Sequence, residues 1–496
     1  MVAALLAGAI ALLPLAYLVN RVRDGGLGAA RDELWQRRTY DLVVRSLTLT
    51  TLVTIACVVI GVLCALAVAR ADLPARRLWH TLLVVPLAVP SYLAGYAWIS
   101  WRPSTSPLFG AWLVLTLVSY PYVYLPVVAA LRRCDPALEE VARSLGCGRA
   151  RTLFVALAQV RASIAAGALL VALYVLSDFG AVAIMRYEAF TWVIYGAYNA
   201  GFNPGRAAVL SVALIALAAI LVVGEGRARG RASSRVGSGT ARRSVAIRQP
   251  WPVRFAVTVF VAIPVALGVG FPIVSMMRWL VDGASRDVSW SAVLSALWAT
   301  LGVAALGALL TMALAVPVGL AAARYRSRGV LAIERATYIA HALPGIVVAI
   351  SMVYVGVKLL EPIYLRTPLL VLTYAVLFLP LAVGSVRAAV ESSQPALEDV
   401  ARSLGRTTWA AWRDVTMPIA APGVAAGAAL VLVTATRELP VTLILHPTGM
   451  ETLSMAVWKY TGVSDYANAA PYAVVLLLAG AFPTVVLSKL AGIERS

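Results

Sequence analysis

Glu139-Glu140-Val141-Ala142-Arg143-Ser144-Leu145-Gly146 returns in the second half of the chain as Glu398-Asp399-Val400-Ala401-Arg402-Ser403-Leu404-Gly405. Only Glu140 has changed, to Asp399. Each copy follows a Pro-Ala-Leu, at 136–138 and 395–397. Working outward, Pro90 recurs as Pro344, and Asp178-Phe179-Gly180 lines up with Glu438-Leu439-Pro440. The intervals between paired positions drift by a few residues, as loops of unequal length would give. The chain is an internal duplication. Its eight-residue copies agree far better than the apolar segments between them, so the copies share a constraint that those segments do not.

The segments around the copies place them. Of 496 residues, 61% are hydrophobic and 13% charged, against about 45–50% and about 25% in soluble domains. That excludes a disordered chain, a coiled coil and most soluble enzymes. A helix needs about 20 apolar residues to cross a bilayer. Such stretches run at 2–19, 46–69, 79–100, 108–130, 162–185 and 207–224, then at 253–275, 291–322, 336–357, 368–390, 423–445 and 468–488. The first is too long, and too poor in N-terminal charge, for a cleaved signal segment, so it counts as a helix. The expected fold is an all-α polytopic membrane protein with about twelve spans, arranged as two six-helix repeats. An even number of spans makes the repeats parallel, related by an axis along the membrane normal. The expected domains are a first half at 1–224, a basic cytoplasmic linker at 225–252 and a second half at 253–496.

The formal net charge of +19 (42 Lys+Arg against 23 Asp+Glu) reads as topology rather than nucleic-acid binding, because short cytoplasmic connections retain Arg and Lys. With both termini cytoplasmic, about two thirds of the basic residues fall in cytoplasmic connections. The Arg-, Gly- and Ser-rich linker is a solvated tether by composition, with membrane lipid the other neighbour its arginines would suit. Cys57, Cys64, Cys134 and Cys147 show no CxxC spacing, and no His/Cys cluster has the spacing of a stable metal site.

The repeated segment lies between the fourth and fifth span of each set, on the cytoplasmic side. Proline at 136 and 395 suits the first turn of a helix, the following residues are good helix formers, and Gly146 and Gly405 end it. A second short helix is expected at 148–158 and at 407–416. Each copy is thus a helix–turn–helix elbow. Leu138, Val141, Ala142 and Leu145 fall on one face at helical spacing, with the acidic pair and Arg143 on the other sides. A small apolar knob rimmed by charge suits docking into a groove on another protein; a plain connecting pair of surface helices is the bland alternative.

At these residues the chain resembles the permease subunits of ATP-binding-cassette importers, in which an E-A-A-x-x-x-G motif is followed by a hydrophobic-x-Leu-Pro. Glu140-Val141-Ala142 with Gly146 fits the first copy; Asp399-Val400-Ala401 with Gly405, then Val415-Thr416-Met417-Pro418, fits the second. The first copy has Gln159 where the second has Pro418. The resemblance implies that the elbows are coupling helices held by a separate ATPase. Glu139, Glu140, Ala142, Arg143, Leu145 and Gly146, with Glu398, Asp399, Ala401, Arg402, Leu404, Gly405 and Pro418, would be the coupling residues. It also implies two copies of that ATPase, which would carry the ATP and Mg; a substrate-binding protein at the outer face; and a bacterial inner-membrane location. Ser177–Val182 and Arg437–Leu443, together with Phe190–Tyr195, look like fused permeases for ferric iron; fused thiamine permeases are close relatives.

Charges inside spans usually face a cavity or one another. Asp178 and the Arg437–Glu438 pair fall late in the fifth and eleventh spans. They either line a translocation path, where carboxylates would suit a hard cation, or fix helix ends. His341 is a further candidate for the path. Lys358, Lys459 and Lys489 are each followed by an apolar or aromatic residue rather than Ser or Thr. The chain therefore has no P-loop; it is expected to bind no cofactor and to be no enzyme. Energy must come from a partner or an ion gradient. The gradient option is a major-facilitator-like transporter, which also has two parallel halves.

Overall fold

A computed structural model of the chain describes residues 2–134, 137–201, 203–229, 250–283, 288–325, 327–341 and 343–490. Most of the expected linker, 230–249, therefore lies outside the described residues, as do Pro136 and the side chain of His341. The elements are all helices. Among the described residues, eight helices are long and apolar enough to cross a membrane, ten if each of two bent pairs counts as one span. Two shorter apolar helices, Gly345–Lys358 and Tyr466–Ala481, occupy the remaining expected positions.

The expected spans 79–100 and 336–357 are not continuous helices. Each breaks at its proline. Arg76–Ala88 and Ser91–Trp101 meet at 90°, with Val89 extended (ψ 115) and Pro90 as the N-cap of the second piece. In the other repeat Arg328–His341 is followed by Gly345–Lys358, with Pro344 as N-cap. A proline has no N–H to give the preceding turn and pushes the residue before it out of the helical region. The hydropathy of these stretches carries no trace of that break.

Two compact units form. One comprises Met1–Gln36, Val193–Val212 and Trp279–Ser496. Within it Trp290–Arg324 lies along Thr367–Glu391, which also receives Met417–Thr436. The N-terminal helix Val2–Asp24 packs on Arg328–His341 and Gly345–Lys358. It buries Ala4, Ala7, Gly8 and Ala11 and brings Tyr17 within 4.9 Å of the Tyr354 ring. Small residues on that stripe let the two backbones close up.

The other unit comprises Arg37–Trp192 and Ala213–Arg278. Arg37–Arg70 packs on Pro121–Arg133 and on Arg161–Ser177. Phe271, which follows the linker in sequence, stacks on Trp98 at 4.0 Å, and Trp101 donates its indole N–H to Ser275 Oγ at 2.9 Å. Both units share one packing device. A β-carbon on Gly167 would fall 2.7 Å from Val123 Cα, and one on its repeat counterpart Gly427 would fall 2.6 Å from Ser385 Cβ. In each, only glycine lets the fifth span of the repeat lie this close to the fourth.

Candidate functional site

The two elbows fold alike. Their first helices are Ala137–Ser144 and Pro395–Ser403. Both end in a left-handed glycine, Gly146 at φ +77 and Gly405 at φ +84. The Cys147 N–H donates to the Ala142 carbonyl and the Gly146 N–H to that of Arg143, each at 3.0 Å; Arg406 and Gly405 repeat the pattern on Ala401 and Arg402. This is the Schellman ending, which ties off helix carbonyls that would otherwise be unpaired. A β-carbon on either glycine would meet nothing within 4 Å, so the backbone angle, not lack of space, requires glycine there.

The faces divide differently from the sequence reading. Leu138, Val141 and Leu145, with Leu397, Val400 and Leu404, are between 44% and 79% exposed, so each elbow presents a bare apolar ridge. Ala142 does not belong to that ridge: it is buried, because it lies one position round the helix toward the span behind. Glu139 is buried as well, whereas Glu140 is exposed. Arg70, the last residue of Arg37–Arg70, donates to Glu139 Oε1 at 2.5 Å. In the second elbow Arg324 closes Trp290–Arg324 and donates to Glu398 Oε1 at 2.6 Å and to the Ser393 carbonyl at 3.2 Å. Thr416 Oγ1 also donates to Glu398. Breaking such a largely buried pair from one side costs about 3–5 kcal/mol. Glu139 and Glu398 therefore root the elbows, and the exposed rims are Glu140 and Arg143, and Asp399 with Arg402, which pair at 3.3 Å. Sequence reasoning missed Arg70 and Arg324; the available signal was an arginine ending the second span of each repeat.

After the elbow the copies diverge. The first continues as Arg149–Gln159, then bends by 66° into Arg161–Ser177. The second runs on without such a bend from Thr408 to Thr436, absorbing Pro418 next to a π-helical turn at Trp412–Thr416. The proline-bearing copy is thus the straighter one: the wider turn takes up the missing N–H.

The breaks at Pro90 and Asp178 come together in space. Arg161–Ser177 ends at Asp178, and a short helix, Gly180–Ile184, starts beyond it. Asp178 accepts from Ser91 Oγ at 2.5 Å through Oδ2 and from the Ala181 N–H at 2.8 Å through Oδ1. Thr191 Oγ1 donates to its carbonyl at 2.6 Å. One buried carboxylate thus ties the starts of two helices, Ser91–Trp101 and Gly180–Ile184. A β-carbon on Gly180 would fall 2.8 Å from Ser91 Oγ and 2.9 Å from the Tyr92 N.

The second repeat builds the same joint from Gly345, Glu438 and Pro440. Glu438 Oε1 accepts from the Val441 N–H at 3.2 Å and lies 3.0 Å from where a β-carbon on Gly345 would be. Arg437 donates Nε to the Val433 carbonyl at 3.3 Å. Of the candidate path residues, Asp178 and Glu438 each meet the start of the broken third span of their own repeat; His341 ends Arg328–His341. Among the described residues no three His, Cys, Asp or Glu side chains are grouped to hold a metal ion.

A duplicated bundle with rooted, apolar-tipped elbows and paired broken helices has relatives. Residues 57–225 and 315–493 each match the family described as binding-protein-dependent transport system inner membrane component. The chain belongs to that family. It is 35% identical over 483 residues to the Fe(3+)-transport system permease protein FbpB 2 of Haemophilus influenzae, a match covering 97% of this chain and 96% of that one. It is 27% identical over 214 residues to the putative 2-aminoethylphosphonate transport system permease protein PhnV of Salmonella typhimurium, covering 43% and 77%. With the molybdenum transport system permease protein ModB of Escherichia coli K12 it shares 28% over 174 residues, covering 30% and 71%. The family is thus matched twice, once on each side of residues 226–314. The chain is a multi-pass inner-membrane permease of ATP-binding-cassette transport, and the major-facilitator reading falls with this match. Members of this class work with an ATPase and a substrate-binding protein.

Proposed function

We propose that this permease carries ferric iron from a binding protein at the outer face into the cytoplasm, driven by two copies of a separate ATPase. The observation that carries the substrate is the end-to-end similarity to an Fe(3+) permease. The coupling surface rests on the two exposed ridges, Leu138–Val141–Leu145 and Leu397–Val400–Leu404. Each would seat in a groove of one ATPase subunit, with Glu140, Arg143, Asp399 and Arg402 on the rim. ATP and Mg belong to that partner, and this chain performs no catalysis. The roots at Arg70–Glu139 and Arg324–Glu398 would pass the elbow's movement into the second span of each repeat. Both chain ends, the elbows and the 225–252 linker are cytoplasmic in this reading, which treats 1–224 and 253–496 as the two repeats. Asp178 and Glu438 act as joints that hold the broken helices in register. Iron entry and release would follow the two states set by the ATPase, and the loaded binding protein must prefer one of them.

The test is ATP-dependent uptake of radioactive ferric iron by vesicles holding the permease and its ATPase, with the iron-loaded binding protein outside. Uptake that persists without ATP overturns the coupling. Uptake of thiamine but not of iron overturns the substrate.

A further inference from the structure

The repeats differ in charge at one buried place. Counted from Pro90 and Pro344, His80 of the first repeat stands where Glu334 stands in the second. Counted from Pro126 and Pro380, Arg133 of the first repeat stands where Arg387 stands in the second, with Arg132 beside it in the position of Val386. In the second repeat the place is electrically closed: Arg387 donates to the buried Glu334 and, at 2.8 Å, to Glu391. In the first repeat no acid takes that position. His80 is 7% exposed; its Nδ1 faces Tyr124 Oη at 2.5 Å, and its Nε2 is buried with no hydrogen-bond partner among the described residues. The charges of Arg132 and Arg76 both bear on that ring, and on one another. Nε of Arg76 is also buried without a partner among the described residues, while its Nη2 donates to the Ala69 carbonyl at 3.4 Å. Among the described residues, two neighbouring acids are paired elsewhere, Glu139 with Arg70 and Asp72 with Arg254 at 3.7 Å.

We propose that this place, where Arg76–Val84 meets Pro121–Arg133, binds a phosphate-bearing anion. Two guanidiniums offer forked donors that match phosphate oxygens. If Tyr124 donates to Nδ1, the neutral imidazole carries its proton on Nε2 and supplies a third donor. The anion supplies the negative charge that Glu334 supplies in the other repeat. An anionic phospholipid headgroup is the source the surroundings favour. Arg76 opens a bent candidate span and Arg132 closes another, the neighbouring Leu78 is exposed, and basic pockets between spans hold such headgroups.

The test uses the full chain in detergent, with phosphatidylglycerol or phosphatidylcholine added and bound lipid read by native mass spectrometry. Wild type is expected to retain phosphatidylglycerol about tenfold more than an Arg76→Gln, Arg132→Gln double variant, and no such preference is expected for phosphatidylcholine. His80→Glu builds into the first repeat the acid of the second. It should lose the retained lipid equally while keeping the wild-type melting temperature, which separates loss of binding from loss of fold. Inorganic phosphate that both displaces the lipid and raises the wild-type melting temperature would make the source a soluble anion at the same site. Equal phosphatidylglycerol retention by wild type and His80→Glu, with no stabilisation by phosphate, overturns the proposal.

Discussion

The joint of Ser91, Asp178 and Gly180 and the joint of Gly345, Glu438 and Pro440 do one task with different residues. In the first, a short acid meets a hydroxyl on the opposing helix start. In the second, the acid is one methylene longer and the opposing residue has lost its side chain, leaving Glu438 against the bare Gly345. The reach added on one side is removed on the other, so the distance between helix starts is filled in both. What the second joint gives up is a hydrogen bond: Asp178 uses both oxygens on Ser91 and Ala181, whereas Glu438 holds the Val441 N–H through a longer bond of 3.2 Å. Duplication fixed the geometry and left the chemistry free to drift within it.

The largest expected effect tests the crowding of the first joint. Gly180→Val would drive side-chain atoms into Ser91 and the Tyr92 backbone and should cost about 3 kcal/mol or more, seen as a lowered melting temperature and loss of folded permease. Pro440 already bears a ring at the matching position, so Pro440→Ala should cost less than about 1 kcal/mol. Equal effects would mean the joints are packed alike. Next in size is removal of the acids. Asp178→Ala strands a buried hydroxyl and an N–H and should cost about 2–3 kcal/mol, Glu438→Ala about 1 kcal/mol, read from denaturation in detergent. A larger loss at Glu438 would reverse the ranking drawn from the hydrogen bonds.

A third experiment rebuilds one joint as the other. Ser91→Gly and Asp178→Glu should each destabilise alone, while the double variant should recover part of the loss, with a coupling energy of about 0.5–2 kcal/mol. Simple additivity would show that the two changes do not compensate. The smallest effect belongs to the elbows, where the copies remain alike. Gly146→Ala and Gly405→Ala should each cost about 1 kcal/mol from the left-handed backbone, and should cost the same. A clear difference between them would show that the elbows have diverged as the joints have.

Much of this was open to inspection in the residues. Gly146 and Gly405 announce the elbow ends because a helix stop is a local event of one backbone angle. The apolar stretches announce spans because burial in lipid demands length and composition and little else. Pro90 and Pro344 marked the breaks, but as punctuation inside runs whose hydropathy stays high, so the broken helices read as whole ones. The sequence alone groups Glu139 with Glu140, because helical spacing fixes a face only once the covered side is known. That side is set by Arg70, at the end of a helix far away in sequence.

The sequence by itself determined that this protein is a duplicated membrane bundle with two matching elbows, because repetition, hydropathy and helix capping act over a few neighbouring residues. The tertiary structure alone decided that Asp178 meets Ser91, that Arg70 and Arg324 root the elbows, and that Val2–Asp24 joins the unit holding most of the second repeat. Those outcomes depend on which surfaces close against each other across long stretches of chain. No periodicity or local propensity records that choice.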